Sequence, residues 1–175
     1  MKAKTSILAN IILATILLTF ISFVFMPGVQ AKATRTPFTG RETFAPVGDP
    51  ERAWVDDDGI QHVRGFPILG TFDGDLFSWS NDVVFGFNLD LATGDGNGFG
   101  TCDFDVTWGE DSGTFEGRFI AKIIGGVGGV FTVDFSGHGS GDFEGMKIMG
   151  TGTGSMTGPG TGWLEHEGII LNAHG

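Results

Sequence analysis

Twenty-one carboxylates and four histidines are the groups in this chain that could do proton chemistry. Glu116 and Glu144 occupy matching slots in two copies of one short phrase, and Glu165-His166-Glu167 lies near the C-terminus. A paired acid and base could act on a sugar or an enolisable substrate. Outward-facing acids on a strand are more often simply solvated, so no pair is assigned.

Metal and nucleophile chemistry fare no better. His62, His138, His166 and His174 are far apart, without an i, i+4 pair, and the single Cys102 cannot build a thiolate cage for zinc. Asp56-Asp57-Asp58-Gly59 and Gly94-Asp95-Gly96-Asn97-Gly98 gather the hard oxygen ligands that calcium takes. They match neither a twelve-residue loop closed by Glu nor a repeated G-G-x-G-x-D array, and read as solvated turns. Cys102 alternates with Phe104 and Val106, which puts it on an apolar face as an inert thiol. Ser140, close to His138, has neither the G-x-S-x-G spacing nor a following helix, and the glycine runs fit no nucleotide-binding loop. The sequence names no catalytic, cofactor-binding or metal-binding residue, and no cofactor.

The elements that would position any site are strands. Cys102, Phe104, Val106 and Trp108 share one face while Thr101, Asp103, Asp105 and Thr107 share the other, the pattern of a half-buried antiparallel strand. Similar alternation predicts eight strands, near residues 60–69, 74–79, 82–91, 99–108, 114–124, 129–136, 143–150 and 162–171. The turns between them are rich in Gly, Asp and Asn, and no stretch after Ala31 has a sustained helical period. Short strands joined by tight turns predict an all-β, up-and-down antiparallel barrel of about eight strands, with a two-sheet β-sandwich as the alternative. A phrase Gly-x-Phe-acid-Gly recurs at Gly70 to Gly74, Gly113 to Gly117 and Gly141 to Gly145. It reads as a building device that starts a strand, with Phe inward, the acid outward, and the glycines at a bulge or close approach.

Composition sets the compartment and the partners. Lys2 and Lys4 precede an apolar run from Ile7 to Met26, and Pro27-Gly28-Val29-Gln30-Ala31 ends it with small residues at the minus three and minus one positions. Residues 1–31 therefore read as a signal peptide cleaved after Ala31. Because the run exceeds the ~7 to 15 residues usual for a signal core, an uncleaved membrane anchor is the alternative. Either reading places the body outside the cytoplasm. Loss of two lysines takes the net charge from -11 to -13, which disfavours nucleic acid and anionic lipid. Any membrane contact would run through residues 7–26. Residues 32–58, with Pro37, Pro46 and Pro50, read as an extended lead-in, and residues 59–175 as the barrel domain. Cys102 being the only cysteine, the domain must hold without an internal disulfide, and 14 Phe and 4 Trp after residue 31 supply the core.

Gly139-Ser140-Gly141-Asp142-Phe143-Glu144-Gly145, together with Ser112 to Gly117, is similar to the glycine turn of the small antiparallel barrels that include allene oxide cyclases and dirigent proteins. Thr36 to Gly40, Val63-Arg64-Gly65 and Phe143 to Lys147 resemble segments of exported microbial proteins of unknown function. The resemblance implies the barrel. It implies no activity, because Met146-Lys147-Ile148-Met149 interrupts the plant motif and no catalytic or substrate residue of those families maps onto this chain. Three functions remain open. The first is a non-catalytic exported barrel binding a small apolar molecule in a Phe-lined interior. The others are an isomerase or cyclase in the same barrel and a structural or surface-interaction module with a filled core.

Overall fold

The computed structural model describes residues 33–172. The expected signal or anchor segment, residues 1–31, and His174 lie outside them. Nine strands are described: β1 Thr34–Pro46, β2 Arg52–Val55, β3 Ile60–Gly74, β4 Ser78–Asp90, β5 Gly96–Trp108, β6 Asp111–Ile124, β7 Val130–Gly141, β8 Met146–Gly158 and β9 Thr161–Asn172. Each pairs antiparallel with its neighbour, and β1 pairs with both β9 and β3, closing an eight-stranded barrel that the short β2 extends along the edge of β3. The barrel is the architecture that the alternation predicts, and closure leaves no long unpaired edge.

The lead-in also holds β2 at Arg52–Val55, β7 runs on to Gly141 past the expected end at 136, and residues 142–145 turn where a strand is expected to start at 143. Three further segments differ from the expectation. Residues 34–46, read as part of a lead-in, form the strand that closes the barrel. The strand expected at 74–79 and its break near residue 81 do not exist: β3 runs on to Gly74, and β4 passes through Ser80 and Asn81 without interruption. The glycine-rich stretch from Gly152 to Gly158, read as turn, continues β8. In all three the inward positions hold Gly, Glu or Asn where apolar residues were expected, which breaks the alternation that marks a strand. Pro37 is tolerated because β1 pairs only with β9 there, the β3 ladder starting at Gly40.

The phrase Gly-x-Phe-acid-Gly buries Phe72, Phe115 and Phe143 and exposes Asp73, Glu116 and Glu144, as expected. Its positions correct the idea of a strand starter. The first copy ends β3, only the second lies at the start of a strand, and the third forms the β7–β8 turn, where Gly145 has φ +80°. Phe143 folds back from that turn onto Phe115, the rings stacked 5.3 Å apart.

The two ends of the interior differ. Towards the β3–β4 turn, Phe38, Phe72, Phe77 and Trp79 form one aromatic cluster, with Phe72 stacked on Trp79 at 3.7 Å. Such rings are large and rigid and fill this end. Towards the opposite end the inward residues are Phe44, Val83, Phe85, Phe131, Val133 and Met156, and the filling is incomplete.

Candidate functional site

Between the aromatic cluster and the incompletely filled end lie three buried polar residues. Glu42 of β1, Asn81 of β4 and His166 of β9 are 4%, 5% and 5% exposed. Glu42 Oε2 lies 2.6 Å from His166 Nε2, and Asn81 Nδ2 donates to Glu42 Oε1 at 3.2 Å. The two barrel ladders explain how they meet. Glu42 stands opposite Leu164 and Phe72, while Asn81 lies opposite Gly70, one strand further along. To reach Asn81 the Glu42 side chain must pass over β3, and it does so at Gly70: a Cβ there would lie 1.9 Å from Glu42 Oε1. His166 is accommodated in the same way on its other side, where a Cβ on Gly152 would lie 2.7 Å from its ring. Two glycines therefore provide the space that the polar trio occupies.

The trio faces a cavity of about 50 Å³ whose apolar wall includes Phe85, Cys102, Phe131, Val133, Met156 and Leu164. By the usual allowance per water this is room for about three or four water-sized atoms. The β8–β9 turn leans across this end of the barrel, so that buried Gly160 sits against Phe66 and Ile68 of β3. The β6–β7 loop is tied down beside it, Gly128 N donating to Met156 O at 2.6 Å and Gly126 N to Gly94 O at 2.7 Å.

Among the described residues, three buried side-chain atoms have no hydrogen-bond partner: Asn81 Oδ1, His166 Nδ1 and Trp79 Nε1. All three belong to this region, since Trp79 packs against His166 with ring centroids 5.7 Å apart. Buried polar atoms are nearly always paired, and an unpaired one forfeits its desolvation energy. Asn81 and His166 also line the interior space, the arrangement expected where something else supplies the partners.

Cys102 also lines the cavity. Burial, followed by the charges of Asp103 and Glu42, pushes its thiol up to about 12, so it stays protonated at neutral pH. The sequence expectation of a buried thiol on the apolar face agrees with this position.

A second polar cluster lies on the β2–β3 hairpin. His62 Nε2 is 2.8 Å from Asp56 Oδ2, and Nδ1 is 2.8 Å from Asn88 Oδ1. Arg64 donates to the same Asn88 oxygen, while Asn88 Nδ2 donates to Asn97, which fixes the amide's orientation. Both ring nitrogens of His62 therefore meet oxygen acceptors, and the imidazolium satisfies both. The Asp56 and Asn88 hydrogen bonds hold the His62 pKa above its ordinary value, and the hydrogen bonds that Asp56 accepts from His62 and from the Ile60 amide hold Asp56 below its own. Trp54 stacks on the His62 ring at 4.8 Å. This cluster fastens the hairpin, its bonds joining β2, β3 and β4.

The acids singled out in the sequence are not brought together. Glu116, Glu144, Glu165 and Glu167 are exposed on the outer face, Glu165 pairing with Arg41 at 3.2 Å. His138 is exposed, and Ser140 Oγ donates to Thr114 O rather than meeting it. In the Asp-rich turns, Asp56 Oδ1 accepts from the Asp58 and Ile60 amides, and Asp95 Oδ1 from the Gly125 amide. Of the residues in Glu165-His166-Glu167 only His166 points inward. Its partners Glu42 and Asn81 were not singled out in the sequence, and their only signal there is the interrupted alternation. No protein-family model matches the chain, and no curated protein matches it in sequence.

Proposed function

We propose that the barrel binds a small, largely apolar molecule in its interior, with Glu42, Asn81 and His166 gripping the molecule's one polar group. The observation that carries this reading is the coincidence of incomplete apolar filling with unpaired buried polar atoms at one place in the barrel. A purely structural core would fill the space, and it would pair those atoms or replace them with apolar groups. The size of the cavity limits the occupant to a molecule of a few heavy atoms, or to the tip of a longer one entering beside Met156 and Gly160. The basic start and apolar run of residues 2–26 support action outside the cytoplasm.

Ligand-dependent thermal unfolding tests the reading. A bound solute at ten times its Kd stabilises by about 1.4 kcal/mol, which for a domain of this size is a rise of about 4 °C. Small apolar solutes should raise the midpoint of the native protein, and Val133→Phe, which fills the cavity, should remove the effect. No rise in the native protein, or an equal rise in the filled variant, would count against interior binding.

The Glu42–His166 contact favours one second reading, proton transfer on the bound molecule, with His166 Nδ1 as the group that exchanges the proton. Solvent deuterium appearing at a carbon of a bound ketone, and absent in His166→Gln, would support it. Retention of the exchange in that variant would rule it out.

A further inference from the structure

We infer that the interior occupant carries a hydroxyl group and donates its hydrogen to Asn81 Oδ1. This rests on the reading of the interior as a binding site and adds the chemistry of what it takes. The orientation of one amide decides the chemistry. The Glu42–His166 contact at 2.6 Å holds a proton between Oε2 and Nε2, whichever of the two atoms owns it. Glu42 Oε1 is therefore an acceptor in either case. Only the Nδ2 end of Asn81 can face it, and the hydrogen bond at 3.2 Å is the result. Reversing the amide would set two acceptors against each other. Asn81 Oδ1 is thus left as an acceptor, buried and unpaired, on a residue that lines the cavity.

An acceptor is completed only by a donor. A ketone, an ether or a hydrocarbon leaves Oδ1 bare, and a carboxylate sets only further acceptor oxygens beside Oδ1 and Glu42 Oε1. A hydroxyl meets the requirement and keeps lone pairs of its own. His166 Nδ1, also unpaired, carries a hydrogen or a lone pair according to where the pair's protons sit, and a hydroxyl group is compatible with both. The surrounding Phe85, Val133, Met156 and Leu164 take the carbon frame. The chemical class is a small apolar alcohol, or a longer molecule that presents such a group at its tip.

Three probes of nearly equal shape separate the alternatives: 2-propanol, propanone and 2-methylpropene. Each is titrated into the methyl-labelled protein, and the NMR signals of Ile68, Val83, Val133 and Met156 report interior binding. The expected result is that 2-propanol binds about ten-fold more tightly than propanone, the effect of pairing one buried acceptor. In Asn81→Leu that preference should vanish while 2-methylpropene still shifts the methyls. Equal affinities for 2-propanol and propanone, or tightest binding by 2-methylpropene, would overturn the hydroxyl inference and leave interior binding standing. A preference for 2-propanol that survives in Asn81→Leu would overturn it as well. If none of the three shifts those methyls, both the inference and the reading beneath it fall. Should Asn81→Leu not fold, the three probes on the native protein decide by themselves.

Discussion

Replacing Gly70 by alanine should destabilise the barrel, although alanine in place of a strand glycine is ordinarily favourable. Gly70 has no positive φ, so its backbone accepts a side chain, and the lower freedom of alanine in the unfolded chain would contribute about 0.5 to 1 kcal/mol of stability. Against this, the added Cβ would lie 1.9 Å from Glu42 Oε1 and 2.9 Å from its Cδ. The carboxylate must leave its place over β3, and the space open to it is the cavity. It loses Asn81 and His166 together, and breaking a buried hydrogen-bonded pair costs about 3 to 5 kcal/mol. The net loss is about 3 kcal/mol, or about 10 °C in the unfolding midpoint. A double-mutant cycle isolates the cause: in a Glu42→Ala background the same Gly70→Ala change should be neutral or stabilising, leaving a coupling of about 3 kcal/mol between the two positions. Denaturant unfolding of the four proteins gives the number. A neutral Gly70→Ala in the native background, or a loss that persists without Glu42, would refute the claim that this glycine houses the carboxylate.

Phe143→Ala should cost about 3 to 5 kcal/mol in denaturant unfolding, because it empties the stack on Phe115 at the β7–β8 turn, whereas Glu144→Gln should be near neutral. A large loss for Glu144→Gln would show that the acid has a buried partner. Gly145→Val should be costly because φ is +80°, and an unchanged midpoint would contradict that backbone geometry. Cys102 should react with a thiol reagent only as the protein unfolds, since its thiol is buried with a pKa pushed up to about 12; equal rates with and without denaturant would move it to the surface. The Asp56–His62 bond should show a pH window set by both partners. His62 is raised, so what it contributes is full below its ordinary 6.5 and lost as pH climbs through the raised value; Asp56 is lowered, so its contribution holds above 3.8 and fades as pH falls through the lowered value. Nitrogen NMR titration of the His62 ring should give a midpoint above 6.5, and a midpoint at or below it would contradict the hydrogen-bond network.

How far the sequence can be read follows from where alternation holds. β5 and β6 are legible because every inward position from Cys102 to Val106, and from Phe119 to Ile123, is apolar or small. Three of the places where the reading fails are the ones that build the site. Glu42 interrupts β1 and makes it look like a lead-in, Asn81 breaks β4 into apparent pieces, and Gly152 makes β8 look like a turn. Polar groups facing inward, with glycines making room for them, contradict the local pattern that identifies a strand, and only closure of the barrel restores them to it. His166 survives as a candidate because Leu164 and Ile170 keep β9 recognisable around it. Its pairing with Glu42 spans 124 positions and requires the β1–β9 ladder, which no local signal announces.

Diffraction from crystals held under xenon asks most simply whether the interior holds an open space, because the gas settles against an apolar wall without any specific chemistry. One interior xenon peak is expected, bounded by Phe85, Val133, Met156 and Leu164 and lying on the cavity side of Glu42, Asn81 and His166. A barrel with no interior peak, its cavity closed by side chains from those same strands, would contradict interior binding.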